Sequence, residues 1–216
     1  MRYLSSLFPC FLPPTRSVRW PLLLALLLGL SQCDSLMYYP ADKLPDATQT
    51  GANTGGCLVD GQPWAARVDY GVGVLSTPPV TVMSGYTLLK DEYWLSISLA
   101  KAVDAADQPN NETWIKIYLP KVSRTGTYVL DHSLPAALMG SYGASDTPAY
   151  GMVTIRRPLP EQYLFTSPTS TGWLTLSRFD TQSGIISGTF EFTANNPATG
   201  RTVHLTQGRF DITSPL

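Results

Sequence analysis

Three kinds of side chain in this sequence could carry chemistry: cysteine thiols, two histidines and a scatter of carboxylates. Asp131-His132-Ser133 sets acid, imidazole and hydroxyl side by side at the end of Thr127-Tyr-Val-Leu130. Neighbours on extended backbone point to opposite faces, so this tripeptide reads as a turn and not as a proton-relay triad. His204, in Thr202-Val-His-Leu-Thr206, falls on the polar side of an alternating run and reads as an exposed strand residue. Two histidines without partner spacing give zinc nothing to hold, and neither metal nor other cofactor is expected. Paired carboxylates of the glycosidase kind converge only in three dimensions. Glu92, Glu112, Glu161, Glu191 and Asp180 are the candidates, at strand ends or on an outward face. There is no Gly-x-Ser-x-Gly elbow, no Cys-x-x-Cys, no His-Glu-x-x-His and no phosphate-cradling glycine loop before a helix. The expectation is a protein that is not an enzyme.

The cysteines divide by context. Cys57 lies in Gly55-Gly-Cys-Leu-Val59, an apolar strand start with no histidine nearby in sequence, and reads as a buried hydrophobe. Cys33 follows a different pattern. Arg16 and Arg19 precede Pro21-Leu-Leu-Leu-Ala-Leu-Leu-Leu-Gly-Leu30. A run of about ten apolar residues has the length of a signal h-region and is too short to cross a hydrocarbon core. Leu30-Ser-Gln-Cys33 then resembles the lipobox of bacterial lipoproteins, with Gln32 larger than the residue usual at that place. The resemblance implies a signal peptide over residues 1–32, cleaved before Cys33, and diacylglycerol on the Cys33 thiol. Several acyl chains make such anchoring effectively permanent, which puts the protein in the bacterial cell envelope, on the periplasmic side or the cell surface. With Cys10 removed and Cys33 lipidated, Cys57 has no disulfide partner.

The rest of the chain supports one exported domain. Beyond the three leader arginines it carries 12 basic and 16 acidic residues, a net of −4, with no Lys/Arg cluster. Nucleic acid is excluded as a partner, because phosphate counterions must be displaced by a concentrated positive surface. Residues 33–54 are rich in Pro, Asp, Thr, Gly and Asn without periodicity and read as a flexible tether. Residues 55–216 then read as a single all-β domain. Only 14% of the chain is charged, and 17 Gly with 18 Pro favour short strands joined by turns.

Strands are expected over Cys57–Val59, Trp64–Val68, Thr81–Leu89, Tyr93–Leu99, Trp114–Leu119, Thr127–Leu130, Tyr150–Ile155 and Tyr163–Thr166. Trp173–Phe179, Ile185–Ala194 and Thr202–Ile212 follow as an antiparallel meander, with a bulge near Gln207-Gly208 where the parity shifts. Asp60-Gly61 suits the positive φ angles of a hairpin turn. Helix is limited to a turn or two at Leu134–Met139 and a short Ala/Asp-rich piece at Val103–Gln108. About ten strands and little helix make an antiparallel β-sandwich or a partly open β-barrel.

Trp64, Trp94, Trp114 and Trp173 stand inside these strands and are expected in the core. Tyr142, Tyr150 and Tyr163 lie in or beside the Gly/Ser/Pro-rich stretch from Leu134 to Thr171 and are the candidate ligand contacts. Irregular segments on a rigid scaffold concentrate binding sites, and tyrosine offers a flat ring with a polar tip to a glycan, peptide or small molecule.

Thr48-Gln-Thr-Gly-Ala-Asn-Thr54 with Gly56-Cys-Leu-Val-Asp-Gly61, and Ile185-Ile-Ser-Gly-Thr-Phe-Glu-Phe-Thr-Ala194 with Gly208-Arg-Phe-Asp-Ile212, resemble the start and end of an uncharacterised domain common in Bacteroidota lipoproteins. Gly55, Asp60 and Gln207 depart from its pattern. The resemblance implies an all-β envelope domain and supplies no catalytic residues. Three functions follow in order: a non-catalytic lipid-anchored binding or structural domain, a lipocalin-like carrier of an apolar ligand, and an envelope hydrolase.

Overall fold

Alternation near the end of the chain is realised residue by residue. β10 (Gly172–Asp180), β11 (Ile185–Asn196) and β12 (Arg201–Thr213) form the expected antiparallel meander. Leu174, Leu176, Ile186, Phe190, Phe192, Val203, Leu205, Phe210 and Ile212 are buried on one side. Trp173, Thr175, Glu191, Thr193 and His204 occupy the alternate positions and belong to the opposite face. Both connecting turns are closed by a side chain: Asp180 Oδ1 accepts the amides of Gln182 and Ser183, each at 3.0 Å, and Asn196 Oδ1 accepts that of Ala198 at 2.9 Å.

The structure, a computed structural model, describes residues 43–68, 80–87, 92–102, 112–134, 147–156 and 160–213, all within the unit Ala41–Leu216. The leader with Cys33, Tyr142 and the expected helical piece Val103–Gln108 lie outside the described residues, as does Leu134–Met139 beyond its first residue. Nine further strands precede the meander: β1 (Thr54–Val59), β2 (Gln62–Ala65), β3 (Arg67–Val68), β4 (Val80–Thr87), β5 (Glu92–Ala102), β6 (Glu112–Val122), β7 (Gly126–Leu130), β8 (Tyr150–Ile155) and β9 (Gln162–Phe165). All twelve belong to one hydrogen-bonded sheet that branches at β11. One arm runs β2-β1-β12-β11-β10-β7 and the other β9-β8-β6-β5-β4, joined by the single rung Asn195–Phe165. This is an all-β, partly open barrel.

The two arms face each other across one core. Leu95, Ile97, Leu99, Ile115, Ile117, Leu119, Val153 and Leu164 supply one wall and the meander's apolar set the other. Contacts between arms include Tyr93 against Phe179, ring centroids 5.5 Å apart, and Leu99 packed where Gly55 has no side chain. Within the meander, rings and glycines interlock reciprocally: Phe190 pairs with Gly208 and Phe210 with Gly188, each ring filling the space its partner leaves empty.

Several expectations are corrected. The run Trp64–Val68 is two strands, not one. At Ala66, whose amide donates to Gly55 O at 2.9 Å, the chain leaves β1, and β3 pairs in parallel with the end of β5. Trp64 is buried, but Trp94, Trp114 and Trp173 are only partly so, since strand parity turns them outward. The bulge at Gln207-Gly208 is present, yet Gln207 (φ 52°) takes the left-handed backbone, while Gly208 is needed for contact with Phe190.

The tether assigned to residues 33–54 also ends earlier than its composition suggests. Asp211, 1% exposed on β12, accepts hydrogen bonds from Thr48 Oγ1 (2.6 Å), Thr50 N (2.9 Å), Gly51 N (2.9 Å), Ala52 N (3.0 Å) and Ser187 Oγ (2.6 Å). Thr213 N reaches Asn53 Oδ1 at 2.9 Å, and Arg178 reaches Gln49 O at 2.6 Å. Residues 48–53 are therefore part of the folded domain, held by polar bonds that composition does not reveal. Burial alone would raise the Asp211 carboxyl, but the hydroxyls of Ser187 and Thr48 and the amides of Ala52 and Gly51 outweigh it and hold the group well below the usual range.

Candidate functional site

The outward face of the meander collects aromatic and polar groups in one place. Cross-strand register puts Trp173 opposite Glu191 and, on its other side, Val129. Val129 is 59% exposed, so the apolar platform extends past the indole. One step along, Thr193 faces His204, and Thr193 Oγ1 lies 3.1 Å from His204 Nδ1. The β12 bulge brings Gln207 N to Glu191 Oε1 at 3.1 Å, fixing that carboxylate by one oxygen. Asp60, at the β1–β2 turn, brackets His204 from the other edge: its carboxylate accepts His204 N and its own amide donates to His204 O, both at 2.8 Å.

Of these residues Trp173, Glu191, Thr193 and His204 line an open groove of about 280 Å³, completed by Thr171, Gly172 and Thr206 over a floor of Phe192 and Leu205. Three strands at about 4.8 Å spacing and two residues along each give a footprint of about 10 by 7 Å. The groove offers one flat apolar surface ringed by hydroxyls, a carboxylate with Oε2 available, and an imidazole with Nε2 available. It suits reversible binding of a small polar molecule.

Of the tyrosines singled out from sequence, the described residues include Tyr150 and Tyr163, on the neighbouring strands β8 and β9 with Tyr163 opposite Thr154. Tyr142 lies outside the described residues. Tyr150 opens strand β8, as its alternating run predicts; it is buried and stacks on Tyr118 at 5.5 Å. With Leu134 and Tyr118 it forms a second cluster on the far face of the other arm, against which Trp94, Met152 and Phe165 pack. Tyr163 is two rungs away, beside Glu161, whose hydrogen bond raises its phenol. Burial pushes the Tyr118 phenol up and the Lys116 ammonium down on this same arm.

Four of the five candidate carboxylates have structural partners. Arg156 joins Glu112 (3.0 Å) and Glu161 (3.2 Å) and lies over the Trp114 ring, 5.5 Å from its centroid. Asp180 is held well below the usual range, chiefly by Ser183 and then by Arg178. Glu191 belongs to the groove, and the Glu92 side chain lies outside the described residues. Among the described residues no three His, Cys, Asp or Glu side chains converge as metal ligands would. His132 Nδ1 lies 2.6 Å from Asp131 Oδ1 on the surface, while its carbonyl accepts Thr166 Oγ1; the local pair serves the chain turn after β7.

Cys57 is fully buried, and burial pushes its thiol up to about 12. Iodoacetamide at about pH 8 is expected to leave the Cys57 peptide unmodified in the native protein and to alkylate it in denaturant. Rapid native labelling on peptide mapping would contradict this burial.

The residues sequence reasoning passed over are Trp173, read as core, and His204, read as a plain outward position, whereas Glu191 stands among the candidate carboxylates. Parity was the available signal: with Leu174 and Leu176 inward, Trp173 must face out. A domain family of unknown function (DUF6252) matches residues 105–212. No curated protein and no solved structure matches the chain.

Proposed function

Because the chain belongs to a domain family of unknown function (DUF6252), we propose its role from its leader and its groove: a lipid-anchored protein of the bacterial cell envelope whose β domain binds a ligand without transforming it. The supporting observation is the convergence of Trp173, Glu191 and His204, with three threonines, on one groove of the meander. The non-catalytic reading is supported by the carboxylates, since Glu112, Glu161 and Asp180 are engaged with arginine or a turn. The anchor reading is supported by the apolar leader ending at Cys33 and by the resemblance to Bacteroidota lipoproteins.

Two measurements test this. Mass spectrometry of the membrane fraction is expected to find an amino-terminal Cys33 peptide carrying acyl chains; an unlipidated terminus at Asp34 or beyond contradicts the anchor. A thermal-shift screen of the full mature protein against sugars, amino acids, short peptides and lipids is expected to give a stabilising class lost in Trp173→Ala. Saturation at one hundred times Kd corresponds to about 2.7 kcal/mol of stabilisation. Stabilisation unchanged in Trp173→Ala contradicts the groove.

A further inference from the structure

The groove lies on the face of strands that have no free edge. β11 is paired by β10 and β12, β10 by β7 and β11, and β12 by β1 and β11. An extended peptide docks by adding to an unpaired edge, where main-chain hydrogen bonds supply its affinity. Here the main-chain groups of the central strands are largely taken up along the ladder or, as at Gln207 N and His204 N, by side chains, so a ligand meets chiefly side chains. Those side chains are mostly hydroxyls, with one carboxylate oxygen and one imidazole nitrogen.

Charge and polarity narrow the class further. Glu191 is the groove's only acid, and neither Lys nor Arg lines it. Arg209, on the same face, is engaged with Gln207 O at 3.1 Å and Pro45 O at 3.4 Å. An anionic ligand would meet the Glu191 carboxylate without a compensating cation. A wholly apolar ligand would cover Glu191 Oε2 and His204 Nε2 and leave each of those atoms without a partner, at a desolvation penalty. A neutral ring with hydroxyls around its rim and C–H groups on its face avoids both penalties. Its C–H face meets the electron-rich indole of Trp173, and its hydroxyls meet Glu191 Oε2, His204 Nε2 and the threonines.

We propose that the ligand is a neutral glycan, one pyranose ring stacked on Trp173 with its hydroxyls bound by Glu191 and His204. The inference rests on the groove being the binding site.

Isothermal titration of the full mature protein with hexaoses of glucose, xylose, mannose and N-acetylglucosamine tests it, with oligogalacturonate and choline as charged probes. At least one neutral hexaose is expected to bind, and oligogalacturonate at least about tenfold more weakly, about 1.4 kcal/mol at 25 °C. Trp173→Ala should weaken the neutral ligand by tenfold or more, whereas Trp173→Phe, which keeps a ring, should lose less. Glu191→Gln should narrow the discrimination against oligogalacturonate. Unfolding transitions measured on each variant separate lost binding from lost fold. Trp173-dependent binding of choline or oligogalacturonate, with no neutral hexaose bound, overturns the assignment of a neutral glycan and leaves the groove standing. Hexaose binding indifferent to both Trp173 and Glu191 overturns the glycan assignment at this groove and the groove itself.

Discussion

Asp211→Ala is expected to destabilise the domain by about 3 kcal/mol, because it removes at once the acceptor of several hydrogen bonds, among them that of the buried Ser187 hydroxyl. Oδ2 accepts from Thr48 Oγ1, Thr50 N and Ala52 N, and Oδ1 from Gly51 N and Ser187 Oγ. Each of these donors loses its acceptor in the variant, and the Ser187 hydroxyl loses it in a fully buried place. Asp211→Asn should rescue little, since an amide nitrogen in place of either oxygen puts donor against donor. Chemical denaturation should show a lower midpoint, and hydrogen exchange should show residues 48–53 losing protection first. The pH dependence has a definite sign. A carboxyl whose folded value lies below its unfolded value contributes stability in full above about pH 4, lost as pH falls through the folded value. The gap between wild type and Asp211→Ala should therefore shrink on acidification below about pH 4. A gap that is constant, or that widens, contradicts the account of Asp211 as an ionised hub.

Gly208→Ala is the second large effect, about 3 kcal/mol, near the top of the usual range for overpacking. A Cβ there would stand 2.5 Å from both Phe190 O and the Phe190 ring. The oxygen belongs to the β11–β12 ladder, so relief requires opening the strand pair as well as rotating a side chain. Gly188→Ala meets Thr175 O and the Phe210 ring and should behave alike. Gly200→Ala provides the control: it has positive φ (71°) but nothing within 4 Å of the added carbon. Only backbone strain of about 1–2 kcal/mol applies at that site. Equal unfolding midpoints for Gly208→Ala and Gly200→Ala would show that the ring–glycine interlock does not constrain the meander.

Much of the scaffold was legible because half-buried strands alternate. Ile186, Phe190, Phe192 and Ala194 announce β11 by sequence alone, and Asp60-Gly61 announces a turn whose φ angles, 49° and 81°, are both positive. Pairing between strands distant in sequence was not legible. β1 lies beside β12, the last strand, because Asp211 gathers the Thr48–Ala52 segment onto it, and no local pattern reports a contact across some 160 residues. The groove was hidden for two reasons. Trp173 is a large apolar residue in a strand and invites a core reading, although Leu174 and Leu176 fix its parity outward. The bulge at Gln207 then decides which β12 residues meet Glu191, and a bulge's register cannot be read from one strand. Tyr150 reads as a strand residue beside a Gly/Ser/Pro-rich stretch and so as a ligand contact, whereas it is buried and stacks on Tyr118 within the sheet.

The groove and the tyrosine cluster lie on different arms of the sheet, so a residue-resolved footprint separates them. In amide and indole NMR spectra of the full mature protein, a ligand from the thermal-shift screen is expected to shift the Trp173 Nε1–H resonance. The amides of Glu191–Thr193 and His204–Thr206 should shift with it, while Tyr118 and Tyr150 stay still. Shifts confined to Tyr118, Tyr150 and Phe165, with Trp173 unmoved, would contradict the assignment of the meander's outward face as the binding site.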